Sequence, residues 1–325
     1  MKDPTGFKLK YRNFILETLR MLRLPNKITI LFIISILLFN SSFSQNDSTR
    51  MFRNRKIFLL STTAAVTGSS LIYLQGVWYS QYNTGKFHFF NDDSEWLQMD
   101  KCGHFYTNFQ LSGLMIQTFK WGGFNKPKQL FIGGVLGFGY MTAIEMMDGY
   151  SSGWGFSWGD MAANAGGTLF SIGQYALWNE PRINLKFSFW PSGLAKYNPN
   201  LLGSTPGQQF LKDYNAQTYW LSVSPFAFCK KDSKLPRWLA FSFGYGADGM
   251  LGANYNNVAV EDADGNVKTF QRSRQYYFSL DIDFSKIKTR SKVLKTLFSA
   301  VNLLKVPFPT LEFTNGKTKF HPLYF

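Results

Sequence analysis

The hydrophobic pattern changes character near residue 182. Before it, apolar residues run in long segments interleaved with Gly, Ala, Ser and Thr; after it, they alternate with polar residues. Long mixed apolar and small runs predict packed helices, and period-two alternation predicts strands with one apolar face. Four helices are expected in the first half. Ile57 to Trp78 is the first. The second starts near Asp92, with Glu95 at the third position of a capping box, and runs to about Lys120. The third spans Gln129 to Asp148 and carries Gly133-x-x-x-Gly137, a spacing that lets another backbone come close. The fourth runs from about Trp158 to Trp178, with Ser157-x-x-Asp160 as its capping box and Ala162, Ala163, Ala165 and Gly166 inside it. Pro127 and the Gly149 to Gly155 stretch are expected to break the helices.

The second half reads as strands. Ile183 to Phe189, Phe241 to Tyr245 and Phe278 to Phe284 alternate, and Trp220 to Phe228 does so less cleanly. Thr310 to Tyr324 predicts a hairpin turning at Asn315-Gly316, and Asp262 to Gly265 predicts another turn. Residues 290–304 form an amphipathic helix between strands. The polar partners in the alternation suit either the lumen side of a membrane barrel or the wet face of a soluble sheet. The count of strands, about six to eight, barely reaches the minimum for a closed membrane barrel, and the terminal Phe325 is a weak sign of one. The expected fold class is α+β: a small-residue-rich helical bundle of about four helices, then an antiparallel β-sheet or small partly closed barrel. The expected domains are an upstream extension and signal peptide at 1–44, a helical domain at 45–182 and an antiparallel β domain at 183–325.

The start of the chain changes the picture. Arg23 and Lys27 flank an apolar run from Ile28 to Phe39, and Ser42-Phe43-Ser44 offers small residues for cleavage before Gln45. This is the pattern of an export signal, with Met21 just ahead of it, and the run is short for a membrane anchor. The chain carries a net +15, of which residues 1–44 hold seven Lys or Arg and two Asp or Glu. An exported basic chain meets anionic lipid rather than nucleic acid, so the expected partner is a membrane lipid or lipopolysaccharide surface, with an envelope protein assembly as a further partner. Aromatic residues make up 18% of the chain, including 33 Phe, which suits membrane-facing surfaces. The mean hydropathy of −0.15 argues against a mainly helical membrane protein. Cys102 and Cys229 form either one bridge or, as expected here, two buried thiols.

Candidate chemistry is concentrated between Asp100 and Asn164. Asp100-Lys101-x-x-His104, Glu145-x-x-Asp148 and Asp160-x-x-x-Asn164 each place their polar residues on one helix face. Ionisable groups on apolar helices cost free energy unless paired, so the three faces are expected to converge. Small residues Gly133, Gly137, Ala163 and Gly167 are expected at the contacts that permit it. One outcome is a structural network in which Lys101 neutralises Glu145 or Asp148 as a buried ion pair and Asp160 does no more than cap its helix. Another is general acid–base chemistry by His104, Glu145 and Asp160, and a third is a divalent metal held by the same three residues; no other cofactor is expected. No His-Glu-x-x-His or Gly-x-Ser-x-Gly supports an enzyme. Trp96 and Trp154-Gly-Phe-Ser-Trp158 add aromatic mass for core or interface packing, or a platform for a sugar.

Taken in order, Asp100-Lys101-Cys102-Gly103-His104-Phe105, Glu145 and Asp160 to Gly166 resemble an uncharacterised bacterial family of predicted periplasmic lipoproteins. More distantly they are similar to the VanZ-like envelope family. The resemblance covers roughly residues 92–178 and implies an envelope location with no settled activity. Lipid attachment does not carry over, because position 45 is Gln rather than Cys. The expected function is a non-enzymatic envelope protein at the outer membrane or its periplasmic face. The alternatives are an envelope hydrolase or transferase acting on a lipid-linked or glycan substrate, and an inner-membrane protein of VanZ-like topology.

Overall fold

The computed structural model describes residues 48–75, 79, 85–229, 234–256, 260–261 and 267–324. The expected signal sequence, the turn at Asp262 to Gly265 and Phe325 lie outside them. The chain is α+β: among the described residues, helices α1 Ser48–Leu74, α2 Met99–Trp121, α3 Lys126–Gly149 and α4 Trp158–Trp178 precede the sheet, with α5 Pro199–Leu202, α6 Pro206–Lys212 and α7 Lys292–Val301 inserted among its strands. The strands are β1 Ile183–Phe189, β2 Gln217–Val223, β3 Leu239–Asp248, a short pair β4 Val260–Glu261 and β5 Val267–Lys268, then β6 Ser273–Ile282, β7 Phe308–Thr314 and β8 Lys317–Tyr324.

Helices α2, α3 and α4 form the bundle. Their backbones meet at glycines. A Cβ on Gly133 or Gly137 would fall 2.6 Å from Ile116 Cγ1 or 2.4 Å from Ser112 Oγ on α2. One on Gly167 would fall 2.2 Å from the Phe105 carbonyl oxygen. These are the close approaches expected of the small residues, except that Ala163 lines a cleft beside the sheet. Helix α4 has the expected bounds, and Ser157 Oγ accepts from the Asp160 amide at 3.1 Å. Two helix starts differ from expectation. Pro127 does not break α3; Asn125 caps that helix and Pro127 sits in its first turn, where no amide partner is needed. Asp92 does not cap α2. Trp96, Leu97 and Gln98 all adopt left-handed backbone angles, so the helix begins only at Met99. That conformation costs roughly 1–2 kcal/mol per residue. It is held by Trp96 N–H donating to Ala253 O at 2.8 Å, by Arg274 donating to Gln98 Oε1 at 2.6 Å, and by the Tyr245 hydroxyl donating to Leu97 O.

Six strands form one antiparallel sheet in the order β1-β2-β3-β6-β7-β8. Among the described residues the ladder does not close. β1 has the expected bounds, and the hairpin turns at Asn315 and Gly316, both at positive φ. The strand expected at Trp220 to Phe228 shifts to Gln217–Val223, because Pro225 starts a 3-10 turn. The strand expected to reach Phe284 ends at Ile282, where Asp283 caps another 3-10 turn.

The register puts Leu185, Leu221, Phe243, Phe278, Leu311 and Phe320 in one row across all six strands. From β3 to β8 this face is turned outward, with Phe243 53% exposed, Tyr276 52% and Phe320 62%, while at β1 and β2 Tyr106 of α2 packs over Phe187 and Tyr219. The opposite, inward face carries the polar half of the alternation. Asp281 accepts from Ser222 at 2.8 Å and Ser242 at 3.1 Å, and pairs with the fully buried Lys186 at 3.0 Å. Lys305 joins from beyond α7. Tyr324 of β8 reaches across to donate to the Tyr277 hydroxyl at 2.7 Å and to meet Thr218 of β2 at 3.3 Å, so the sheet is strongly curled. The polar side of the alternation is therefore the enclosed one, as in a barrel lumen, and not a wet face. Cys102 and Cys229 are unbridged, Cys102 half-buried and Cys229 exposed rather than buried.

Gly167→Ala should be strongly destabilising, by about 1–3 kcal/mol, because its Cβ meets backbone that cannot yield. Gly139→Ala, with nothing within 4 Å, should gain up to about 1 kcal/mol from helix propensity. Denaturant midpoints of the two variants test the close-approach account, and equal effects would overturn it.

Candidate functional site

The three polar faces do converge. Met99 starts α2, which places Asp100, Lys101 and His104 in its first two turns; Asp160 lies in the first turn of α4, and Glu145 near the end of α3. Carboxylates in a first helical turn sit in the favourable field of the N-terminal amides. Glu145, Asp160 and Asn164 are 1%, 4% and 0% exposed, while Asp100, Lys101 and His104 are half-buried.

Lys101 Nζ lies 2.5 Å from Asp92 Oδ1, 2.7 Å from Asp160 Oδ1 and 3.4 Å from Asp100 Oδ2. It thus neutralises Asp92, Asp100 and Asp160 rather than the α3 carboxylates. Asp160 does more than cap: its amide completes half of a capping box, while its carboxylate turns to Lys101 and His104. The Ser157 amide, which a full box would have satisfied through Asp160, donates instead to Glu145 Oε2 at 3.4 Å. His104 sits between two sets of oxygens. Its Nδ1 faces Asn164 Oδ1 at 3.2 Å and Glu145 Oε1 at 3.5 Å; its Nε2 faces Asp100 Oδ1 and Asp160 Oδ1, both at 3.8 Å. Asp148 shares the α3 face but turns to accept from the Tyr79 hydroxyl at 2.7 Å.

Several partners were not legible as site residues. Asp92, expected as a cap, accepts from Ser157 Oγ at 2.6 Å and from Lys101. Tyr214, from the strand-rich half, donates to Asp100 Oδ1 at 2.6 Å. Asn108 donates to Asn164 Oδ1 at 2.5 Å, and Thr168 links Asn108 to Ser112. The last group had a signal: His104, Asn108 and Ser112 repeat every fourth residue on α2, opposite Asp160, Asn164 and Thr168 on α4. Tyr214, more than a hundred residues away in sequence, had none.

Burial and the Asp148 charge push Glu145 up to about 8. Burial, with the Asp100 and Asp92 charges, pushes Asp148 up to about 7 although the Tyr79 hydroxyl opposes it. Burial raises Asp160, and the Asp100 charge adds to it, against Lys101. Asp100 goes the other way: burial raises it, but His104, Lys101 and the Tyr214 hydroxyl together hold it below the usual range.

Beside this cluster lies an open cleft of about 460 Å³ between α2 and the outward face of β1, β2 and β3. Cys102, Phe105, Tyr106, Tyr219, Leu221 and Phe243 line it. Lys101 borders it, but His104, Glu145 and Asp160 do not.

The model of a family described as predicted periplasmic lipoproteins (DUF2279) matches residues 88–176. The match takes in α2, α3 and nearly all of α4, close to the stretch whose motifs carry the resemblance, and ends before the sheet. It says nothing of the VanZ-like family. No curated protein and no solved structure matches the chain.

Glu145 and Asp148 hold protons in the folded protein that the unfolded chain releases near about pH 4. Their contribution to stability is therefore fully present below about pH 4 and is lost as pH rises through about 7 and 8. Denaturant midpoints should fall across that window, and Glu145→Gln, which never ionises, should flatten the fall. An equally steep profile in the variant would show that Glu145 does not titrate there.

Proposed function

We propose that this protein is an exported, non-enzymatic component of the cell envelope that seats its sheet against lipid on the periplasmic side of the outer membrane. It serves there in envelope structure or as an accessory subunit of an assembly. The observation that carries this reading is the inversion of the sheet. Lys186, Asp281 and Glu312 are enclosed and apolar rows of β3 to β8 face out, the arrangement favoured where the surroundings are lipid. Apolar patches of this extent mark interaction or membrane surfaces. The exposed aromatics Phe89, Phe90, Tyr150 and Trp158 add the kind of ring cluster that collects at a membrane interface. The net charge of +10 that remains outside residues 1–44, which hold seven basic and two acidic residues of the +15 total, suits anionic headgroups. The match to a family of predicted periplasmic lipoproteins supports export.

Helices 54–74 and 126–149 are long and apolar enough to cross a membrane. The second packs Gly133 and Gly137 against α2 and presents Glu145 to His104, which is the work of a bundle helix. Density-gradient separation distinguishes an inner-membrane location directly.

A second reading, a hydrolase or transferase acting on a lipid-linked or glycan substrate, draws on His104 and the raised proton affinity of Glu145. The cleft stops short of both residues, which weighs against it. His104→Ala and Glu145→Gln, assayed together for folded protein and for phenotype, separate the readings. Loss of function with full accumulation of folded protein would favour the enzyme; parallel loss of both would favour a structural network.

Phe243 and Leu280 are exposed, so Phe243→Asp and Leu280→Asp should cost little stability. Together they should move the protein from the salt-resistant outer-membrane fraction to the soluble periplasmic fraction. Wild-type protein recovered wholly soluble, or a double variant still fully membrane-bound, would overturn the seat on lipid.

A further inference from the structure

The two nitrogens of His104 meet different surroundings. Nδ1 faces the amide oxygen of Asn164, which can only accept, at 3.2 Å, with Glu145 Oε1 beyond it at 3.5 Å. In the neutral ring the proton therefore belongs on Nδ1, and the Nε2 lone pair points at Asp100 Oδ1 and Asp160 Oδ1. All three atoms lie within 4.8 Å of one another. The 3.8 Å gaps are too long for hydrogen bonds. Ligand atoms around a cation with bonds of about 2.1 Å stand roughly 3.0–3.4 Å apart, so a small side-chain rotation closes this set on an ion.

Further observations distinguish the arrangement from an ordinary acidic cluster. Glu145 is 1% exposed, and its Oε1 accepts no hydrogen bond although it points at His104. Asp160 is 4% exposed; its Oδ1 faces Nε2 and is ion-paired with Lys101 Nζ at 2.7 Å. Asp100, Glu145 and Asp160 surround one imidazole, and among the described residues Lys101 is the one lysine within ion-pair reach of Asp92, Asp100 and Asp160. The outer contacts also fit. A ligating histidine usually donates its other N–H to a carboxylate or carbonyl, as Glu145 and Asn164 allow here, and the Tyr214 hydroxyl steadies Asp100 at 2.6 Å.

We propose that Asp100, His104 and Asp160 bind one divalent cation of the zinc or manganese class, with Glu145, Asn164 and Tyr214 orienting the ligands. One imidazole and two carboxylates suit these ions. Lys101 stays on the outer side of Asp160 as a permanent counter-charge. The site does not depend on where the protein sits in the envelope.

The test uses the purified mature chain, stripped with chelator and titrated with Zn²⁺ and with Mn²⁺ by calorimetry and thermal melting. One equivalent of at least one ion should bind and raise the melting midpoint. His104→Gln and Asp160→Asn should each weaken binding at least about ten-fold. Should a variant fail to fold, Co²⁺ added to the wild-type chain should give visible ligand-field absorption and broaden the His104 ring signals in proton NMR. Unchanged melting and unchanged His104 signals at saturating metal would overturn the site, as would variants that bind as tightly as wild type. A His104 that is doubly protonated at neutral pH and indifferent to metal would identify an imidazolium in the ion's place and overturn it equally.

Discussion

Three helix backbones must come close before their polar faces can share one cluster, and glycines at the crossings allow it. Gly133 and Gly137 bring α3 onto α2 at Ile116 and Ser112, and Gly167 brings α4 onto α2 at Phe105. With a side chain at any of these points the helices would stand further apart. The 3.2 Å contact of His104 with Asn164 would then lengthen beyond hydrogen-bond range. Some apolar residues of α3 are turned outward, Phe131 at 70% exposed and Val135 at 52%, while Met141 is buried.

The two halves share an inversion but resolve it differently. Inside the sheet, the ammonium of Lys186 meets Asp281 and the Ile282 carbonyl, and Asp281 also receives two serine hydroxyls. Asp283 receives Asn184 and Ser224. Cation and anion are matched there and their hydrogen bonds are made, which is what a buried pair needs to be tolerated. The helical cluster is not matched. It gathers more carboxyl groups than cations and leaves Glu145 Oε1 without a donor. Buried polar atoms left this way carry a desolvation cost that natural structures rarely keep without a use.

Much of this was legible in the sequence because the periods were clean. The alternation of Ile183 to Phe189 and the Asn315-Gly316 turn fix their elements locally, and the fourfold spacing of Asp160 and Asn164 fixes their shared face. What could not be read depended on contacts distant in sequence. Asp92 has the composition and spacing of a helix cap, yet the Ala253 carbonyl holds the Trp96 amide and delays α2 to Met99, freeing Asp92 for Lys101. Which side of the alternation would be enclosed was equally unreadable. Period two gives two faces but not their orientation, and only the curl that brings Tyr324 to Tyr277 decides it. The role of Asn108 was missed for a different reason: its spacing from His104 was visible, but an asparagine in an apolar helix carries no charge to draw attention.

Helix α2 belongs to both halves, and this ties the cluster to the sheet. On one side it carries Asp100, Lys101 and His104; on the other, Tyr106 packs on Phe187 and Tyr219, and Gln110 donates to the Leu185 carbonyl at 2.6 Å. At its start, Tyr214 holds Asp100, while Tyr245 and Arg274 hold the left-handed turn before Met99. The spacing of Asp100 from His104 and Asp160 is therefore set partly by residues of β3, β6 and the segment before β2. A displacement of the outward face of the sheet at β1 to β3 acts on the same helix that positions His104, because Leu221, Phe243 and Tyr219 share the cleft with Cys102 and Phe105. The polar cluster and the apolar face are thus joined through one rigid element with close contacts on both sides.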